Sequence, residues 1–193
     1  NMPMDTVERA IKRGAGGEEG SHLEEVFYEG YGPGGVAILI RALTDNRNRT
    51  ANEIKHIFSR MDGSLAEKGA VAWQFEMKGH ILGEITGLSP DELFEFALKY
   101  GADDVQFEDS SFEIITDPKD FQTIREALSS LSGIHIQSSD ITYLPKNTVP
   151  LEGETAERVL RLVSALEDLD DVQEVYANFD IPAETMLQVA AKT

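Results

Sequence analysis

Apolar residues recur along this chain with two spacings, one of two and one near 3.6, and the switches between them mark its elements. A short run at 25–29 predicts a strand, and Gly30-Tyr31-Gly32-Pro33-Gly34-Gly35 predicts a strained hairpin leading out of it. The aliphatic run Val36–Leu43 predicts a second strand, buried on both faces. A helix follows, with Thr50 as N-cap and Glu53 three residues on as the partner in a capping box. Ala51, Ile54, Ile57, Phe58 and Met61 form its apolar stripe, Gly63 ends it, and Val71–Met77 reads as the next strand.

Residues 80–146 carry a complete pattern of their own. Ile81–Thr86 predicts a strand, and Ser89-Pro90-Asp91-Glu92 opens a helix with a cap, an N1 proline and first-turn acids. Gly101 stops that helix, and Val105–Glu108 with Phe112–Ile115 predicts a hairpin. Asp117-Pro118 opens a second helix, and Ile134–Tyr143 closes the set. The order βαββαβ is that of a ferredoxin-like domain. What remains, a helix at Thr155–Leu166 and a strand at Val172–Ala177, cannot bury its own apolar faces. Joined to residues 22–79, it completes a β-β-α-β-α-β sheet with two helices on one side. The expected class is therefore α+β in two lobes. Residues 80–146 are inserted into a discontinuous α/β sandwich-type domain formed by 22–79 and 147–182.

Residues 1–21 stand apart. Val7, Ala10 and Ile11 follow Pro3 at helical spacing, and Gly14–Gly20 reads as a flexible linker. The helix has no partner nearby, so on the residues alone it is a docked terminal helix.

Charge sharpens this picture. The chain has 193 residues and a formal net charge of −18, with mean hydropathy −0.27. By segment, 1–21 and 22–79 each carry −1, 80–146 carries −9 and 147–193 carries −7. Five of the seventeen Lys and Arg residues lie between Arg41 and Arg60. A small basic island in an acidic chain is where a polyanion would be met. No apolar run approaches the ~20 residues of a membrane span, and cytoplasm is the default compartment. With no cysteine, thiolate chemistry and Cys-based zinc sites are excluded. His22, His56, His80 and His135 form no metal-ligand pair, and the acidic run Glu167–Glu174 lacks the glycine of a calcium loop. Neither an enzyme nor a cofactor is expected.

Along nearly its whole length the chain resembles the YebC/PmpR family. The resemblance is carried by Asn1-Met2-Pro3 with Ile11–Arg13, Tyr28–Val36, Leu43–Thr50, Gly63–Gly69 with Val71 and Phe75, and Val175–Ile181. It implies the same inserted architecture. It also implies that residues 1–21 are the remnant of a basic helical N-terminal domain. Proteins of this family look like DNA-binding transcriptional regulators or factors that help the ribosome, with a mitochondrial relative acting as a translational activator.

The turn Asp45–Thr50 is the sharpest candidate for chemistry. Arg47, Asn48 and Arg49 precede a helix N-terminus, and Lys55, His56 and Arg60 continue along the helix away from its apolar stripe. On the residues alone this is an ordinary solvated helix face with Arg47 paired to Asp45. The resemblance favours a surface through which a monomeric protein contacts the phosphates of DNA or of ribosomal RNA on the ribosome. Gly30–Gly35 lacks the Lys-Ser/Thr of a P-loop and precedes a strand, so it is no nucleotide loop. Tyr28 and Tyr31 could stack on bases, although strand aromatics are more often core.

Overall fold

A computed structural model describes residues 22–191. The helix and linker expected within 1–21 lie outside the described residues. In chain order the elements are β1 (Glu24–Tyr31), β2 (Ala37–Thr44), α1 (Arg47–Arg60), β3 (Ser64–Ala66), β4 (Phe75–Ile85), α2 (Pro90–Lys99), β5 (Ala102–Glu108) and β6 (Ser111–Thr116). They continue with α3 (Phe121–Ser129), β7 (Ile134–Pro145), β8 (Val149–Pro150), α4 (Gly153–Glu167), β9 (Val172–Ala177), β10 (Phe179–Asp180) and α5 (Ala183–Ala191). The fold is mixed α/β with two main sheets. It divides into two compact units, an outer one of residues up to Phe75 with those from Pro145, and an inner one, Glu76–Leu144. The first divide falls ahead of the expected 79/80, residues 76–79 belonging to the same unbroken strand as Ile81, and the second falls near the end of β7, two residues ahead of 146/147.

The outer unit is built around β2. Its sheet has the order β3-β1-β2-β9, and β2 pairs antiparallel with both neighbours. On one face Val36, Ile38 and Ile40 meet Ile54, Ile57 and Phe58 of α1 and Ala156, Val159, Leu162 and Leu166 of α4. Fully burying each large aliphatic side chain contributes about 1.5–3 kcal/mol. The hairpin between β1 and β2 needs glycine at Gly34, where φ is +77° and a Cβ would lie 2.8 Å from Leu151 Cδ2.

The opposite face of β2 is buried too, with Leu39 almost wholly enclosed. Beside it lies Glu29, only 3% exposed, on β1. Its carboxylate accepts the backbone N–H of Gly69 (2.7 Å), Val71 (2.8 Å) and Ala72 (2.6 Å). These bonds lay segment 67–74 across that face. Asn178 adds a second tie, accepting the Ala37 N–H (2.8 Å) through Oδ1 and donating to Gln74 (3.3 Å) through Nδ2. Further along, Arg41 pairs with Glu174 (3.0 Å) and Glu25 (3.5 Å). Burial, then the Glu174 carboxylate, push the Tyr176 phenol up to about 12.

This corrects one expected strand. Residues 71–77 do not form the fourth strand of the outer sheet: Ala72–Gln74 is a 3₁₀ turn, and the strand begins at Phe75 and runs on to Ile85. Amides spent on Glu29 cannot enter a ladder. The fourth position is taken instead by β3, whose Ala66 and Ser64 lie opposite Glu29 and Tyr31. The short parallel pair β8–β10 and helix α5 were also not anticipated.

The inner unit packs Ile81, Phe112 and Ile114 of its sheet against Leu93 and Ala97 of α2 and Phe121, Ile124 and Leu128 of α3. Its strand order is β5-β6-β4-β7. Ser89 caps α2, accepting the Glu92 N–H at 3.2 Å. Asp117 accepts the Lys119 N–H at 3.0 Å but opens a 3₁₀ turn, and α3 proper begins at Phe121.

Two outcomes are expected. Residues 76–144 have a closed core, so that piece expressed alone should melt cooperatively by calorimetry; a broad, non-cooperative transition would show the unit dependent on the rest. The Glu29 carboxyl is pushed up by burial, but its three amide donors bring it net below its ordinary value. A depressed folded value means stability that is complete above the unfolded value of about 4.3 and is lost as pH falls through the folded one. Glu29→Gln should thus cost about 1.5–3 kcal/mol at neutral pH. In urea titrations the gap from wild type should narrow on acidification.

Candidate nucleic-acid interface

Helix α1 starts one turn earlier than the sequence pattern suggested. Its N-cap is Asn46, whose Oδ1 accepts the Arg49 N–H at 3.1 Å, while the Asn46 N–H donates to Thr44 Oγ1 at 2.9 Å. Thr50 cannot cap because it is wholly buried inside the helix. Its hydroxyl donates to Asp171 Oδ2 at 2.7 Å and lies 2.7 Å from Thr44 Oγ1. The Asp171 backbone carbonyl accepts the Leu43 N–H at 2.8 Å. One aspartate therefore joins the end of β2, the first turns of α1 and the entry to β9. Burial raises the Asp171 carboxyl, but the Thr50 hydroxyl, Arg49 and Thr44 outweigh it and hold the group below its ordinary value.

This start places Arg47, Asn48 and Arg49 on the first helical turn instead of the preceding loop. All three are exposed, as are Lys55, His56 and Arg60. The two arginines are engaged. Arg47 donates through Nε to Glu24 at 2.6 Å, not to the expected Asp45. Arg49 Nη2 lies 3.0 Å from Asp45 and 2.9 Å from Asp171, and Asp171 first, then Asp45, stabilise its charged form. Lys55 and Arg60 have no carboxylate within ion-pair distance among the described residues. With Asn48, Asn52, His56 and Ser59 they occupy adjoining stripes of the solvent face of α1, on which Glu53 is also exposed. On α4, Arg158 is paired with Glu154 (2.8 Å) and Arg161 with Glu157 (2.5 Å). Lys55 and Arg60 thus stand out as free cations beside the helix amides.

Tyr28 is partly buried against the core and donates its hydroxyl to the Arg47 carbonyl at 3.1 Å, fixing the start of α1. Tyr31 faces the other side of the sheet, half open to solvent, with its hydroxyl donating to the Ala70 carbonyl at 3.4 Å. Asp171 was not picked out by sequence reasoning. It sits within the acidic run 167–174, and only Thr44 and Thr50, spaced six residues apart across a turn, hinted at a buried acceptor. No group of three His, Cys, Asp or Glu among the described residues could hold a metal ion. Nor is any described helix long and apolar enough to cross a membrane.

Residues 23–179 match the family described as TACO1/YebC second and third domain. The chain belongs to that family. A probable transcriptional regulatory protein of Trichlorobacter lovleyi is 52% identical over 186 residues, covering 96% of this chain and 74% of that protein. One from Pelotomaculum thermopropionicum, also 52% identical, covers 94% of this chain and 75% of its own length. Among solved structures, a conserved hypothetical protein from Aquifex aeolicus superposes with a TM-score of 0.75 at 47% identity. It covers 93% of this chain and 74% of its own. The relatives thus extend beyond this chain, which spans about three-quarters of each.

Thr50→Val removes the hydroxyl facing Asp171 while keeping shape. It should lower stability by about 1–3 kcal/mol, measured by urea denaturation, because a partly buried carboxylate loses a donor and the buried Thr44 hydroxyl loses a partner. Arg47→Ala, on the exposed end of the same helix, should shift it by under ~0.5 kcal/mol.

Proposed function

We propose that this chain is a non-enzymatic regulator of gene expression, a DNA-binding transcriptional regulator that meets phosphates through the solvent face of α1. One observation carries the reading: Lys55 and Arg60, unpaired among the described residues, share an exposed helix face with Asn48, Asn52 and His56 in a chain of net charge −18. Cations that the fold leaves uncompensated are available to an external anion, and flanking amides add neutral donors. Arg47 and Arg49 supply positioning and exchange their carboxylate partners for phosphate only at a cost. The transcriptional descriptions of the relatives favour the same class.

A second reading has its own support. Most of the outer unit's arginines are already neutralised by this chain's own acids. A free operator binder generally shows a broad basic face and a pI far above this chain's 4.5. A cytoplasmic, ribosome-associated translation factor needs less cationic surface, because ribosomal proteins supply part of the contact. On either reading the inner unit, with its βαββαβ order and β5-β6-β4-β7 sheet, is a ferredoxin-like insertion whose acidic surface faces basic protein.

The two readings separate by gel shift on promoter DNA against co-sedimentation with ribosomes. On the true target, Lys55→Ala/Arg60→Ala should weaken association and flatten its salt dependence by about one log–log unit per lost phosphate contact. An unchanged affinity and slope would remove the α1 face from consideration.

A further inference from the structure

Segment 67–74 displays an aromatic surface on the side of the outer sheet opposite α1. Trp73 is 63% exposed, although large aromatic rings are ordinarily well buried. Its indole N–H is already spent on the Ala70 carbonyl at 3.0 Å. Tyr31, 36% exposed, donates its hydroxyl to the same carbonyl. Two rings therefore converge on one backbone atom with their polar tips satisfied, and what they offer outward is aromatic surface. The segment is held in place by the three amides on Glu29, so little ordering remains to be done on binding. Next to it Lys68 is exposed and has no ion pair among the described residues.

We propose that Trp73 and Tyr31 form a stacking platform for a base of single-stranded nucleic acid, with Lys68 meeting the adjoining phosphate. The composition of the patch favours this occupant over a protein. The other exposed residues of the segment, Glu67, Lys68, Gly69 and Ala72, carry no large aliphatic side chain, whereas protein docking patches extend over several hundred Å² of apolar surface. A nucleobase needs one flat ring and a cation nearby, and stacking tolerates any base. Glu67 and the Glu29 charge offset Lys68, so the energy comes from the rings and depends weakly on salt. The inference shares with the reading above only its class of partner; the surface is a different one.

Trp73 is the chain's single tryptophan, so its emission reports on this platform alone. The chain is titrated with short single-stranded RNA and DNA oligonucleotides, with the matching duplexes, and with a basic peptide. Both single strands should quench Trp73 and the duplexes, whose bases are already stacked, should not. Trp73→Ala should weaken single-strand binding about tenfold, read by oligonucleotide anisotropy, Trp73→Phe should retain most of it, and neither should shift the melting temperature. The quench should persist in Lys55→Ala/Arg60→Ala, which tests the helix face independently. Quenching by the peptide but by neither oligonucleotide would assign the platform to a protein partner and overturn the proposal. So would a quench that disappears with the helix variant, since the two surfaces would then not be separate sites.

Discussion

Strand β2 is buried on both faces, and a central strand so placed must be covered twice by parts of the chain that do not adjoin it. Helices α1 and α4 supply one cover through an aliphatic interface. The other is an irregular segment, 67–74, which has no apolar stripe with which to dock. It is held by the carboxylate of Glu29, which gathers three backbone amides at the point where the sheet is closed to water. A buried carboxylate is costly unless it is fully hydrogen-bonded, and here the same bonds that satisfy it fix the path of the segment. The position of Trp73 and the place of β3 at the sheet edge both follow from it.

A second carboxylate does the same for the helix surface. Asp171, arriving from the far end of the chain, receives the Thr50 hydroxyl and Arg49 and thereby sets where α1 begins. Both anchors trade burial against donors, and in both the donors win, leaving the acid ionised under ordinary conditions. The difference lies in their surroundings. Glu29 accepts its hydrogen bonds from backbone amides, which are fixed by the fold, with the Lys68 charge adding to them, whereas Asp171 consumes an arginine that an external anion could otherwise use.

Much of this could be read from the sequence, and the reasons for the failures are specific. Elements with a full apolar stripe and a cap that competes with nothing, such as α2 behind Ser89, appeared where spacing put them. Strand β9 was placed at its observed limits because Val172–Ala177 is a short run with β-branched and aromatic residues that follows directly on an acidic turn. Thr50 misled because a threonine three residues before a glutamate satisfies the local rule for a cap, and the partner that claims its hydroxyl lies 121 residues away. Residues 71–74 misled for the same reason, the amides of Val71 and Ala72 being taken by Glu29, 42 and 43 residues earlier. At the candidate interface the residue types were legible, but their pairing was not. Which cations remain free depends on Glu24, Asp45 and Asp171 arriving beside them in space.

The pairing of β2 with β9 has a consequence for incomplete chains. Ile38 lies opposite Ala177 and Ile40 opposite Val175, so the most apolar strand of the protein acquires its second neighbour from almost the last part of the fold. Any chain ending before Val172 leaves that edge open, with its row of N–H and C=O groups available to another copy. Such an edge, flanked by aliphatic side chains on both faces, is a template for intermolecular sheet growth. Strand β9 therefore does more than close a core: it keeps neighbouring molecules from completing the sheet in its place.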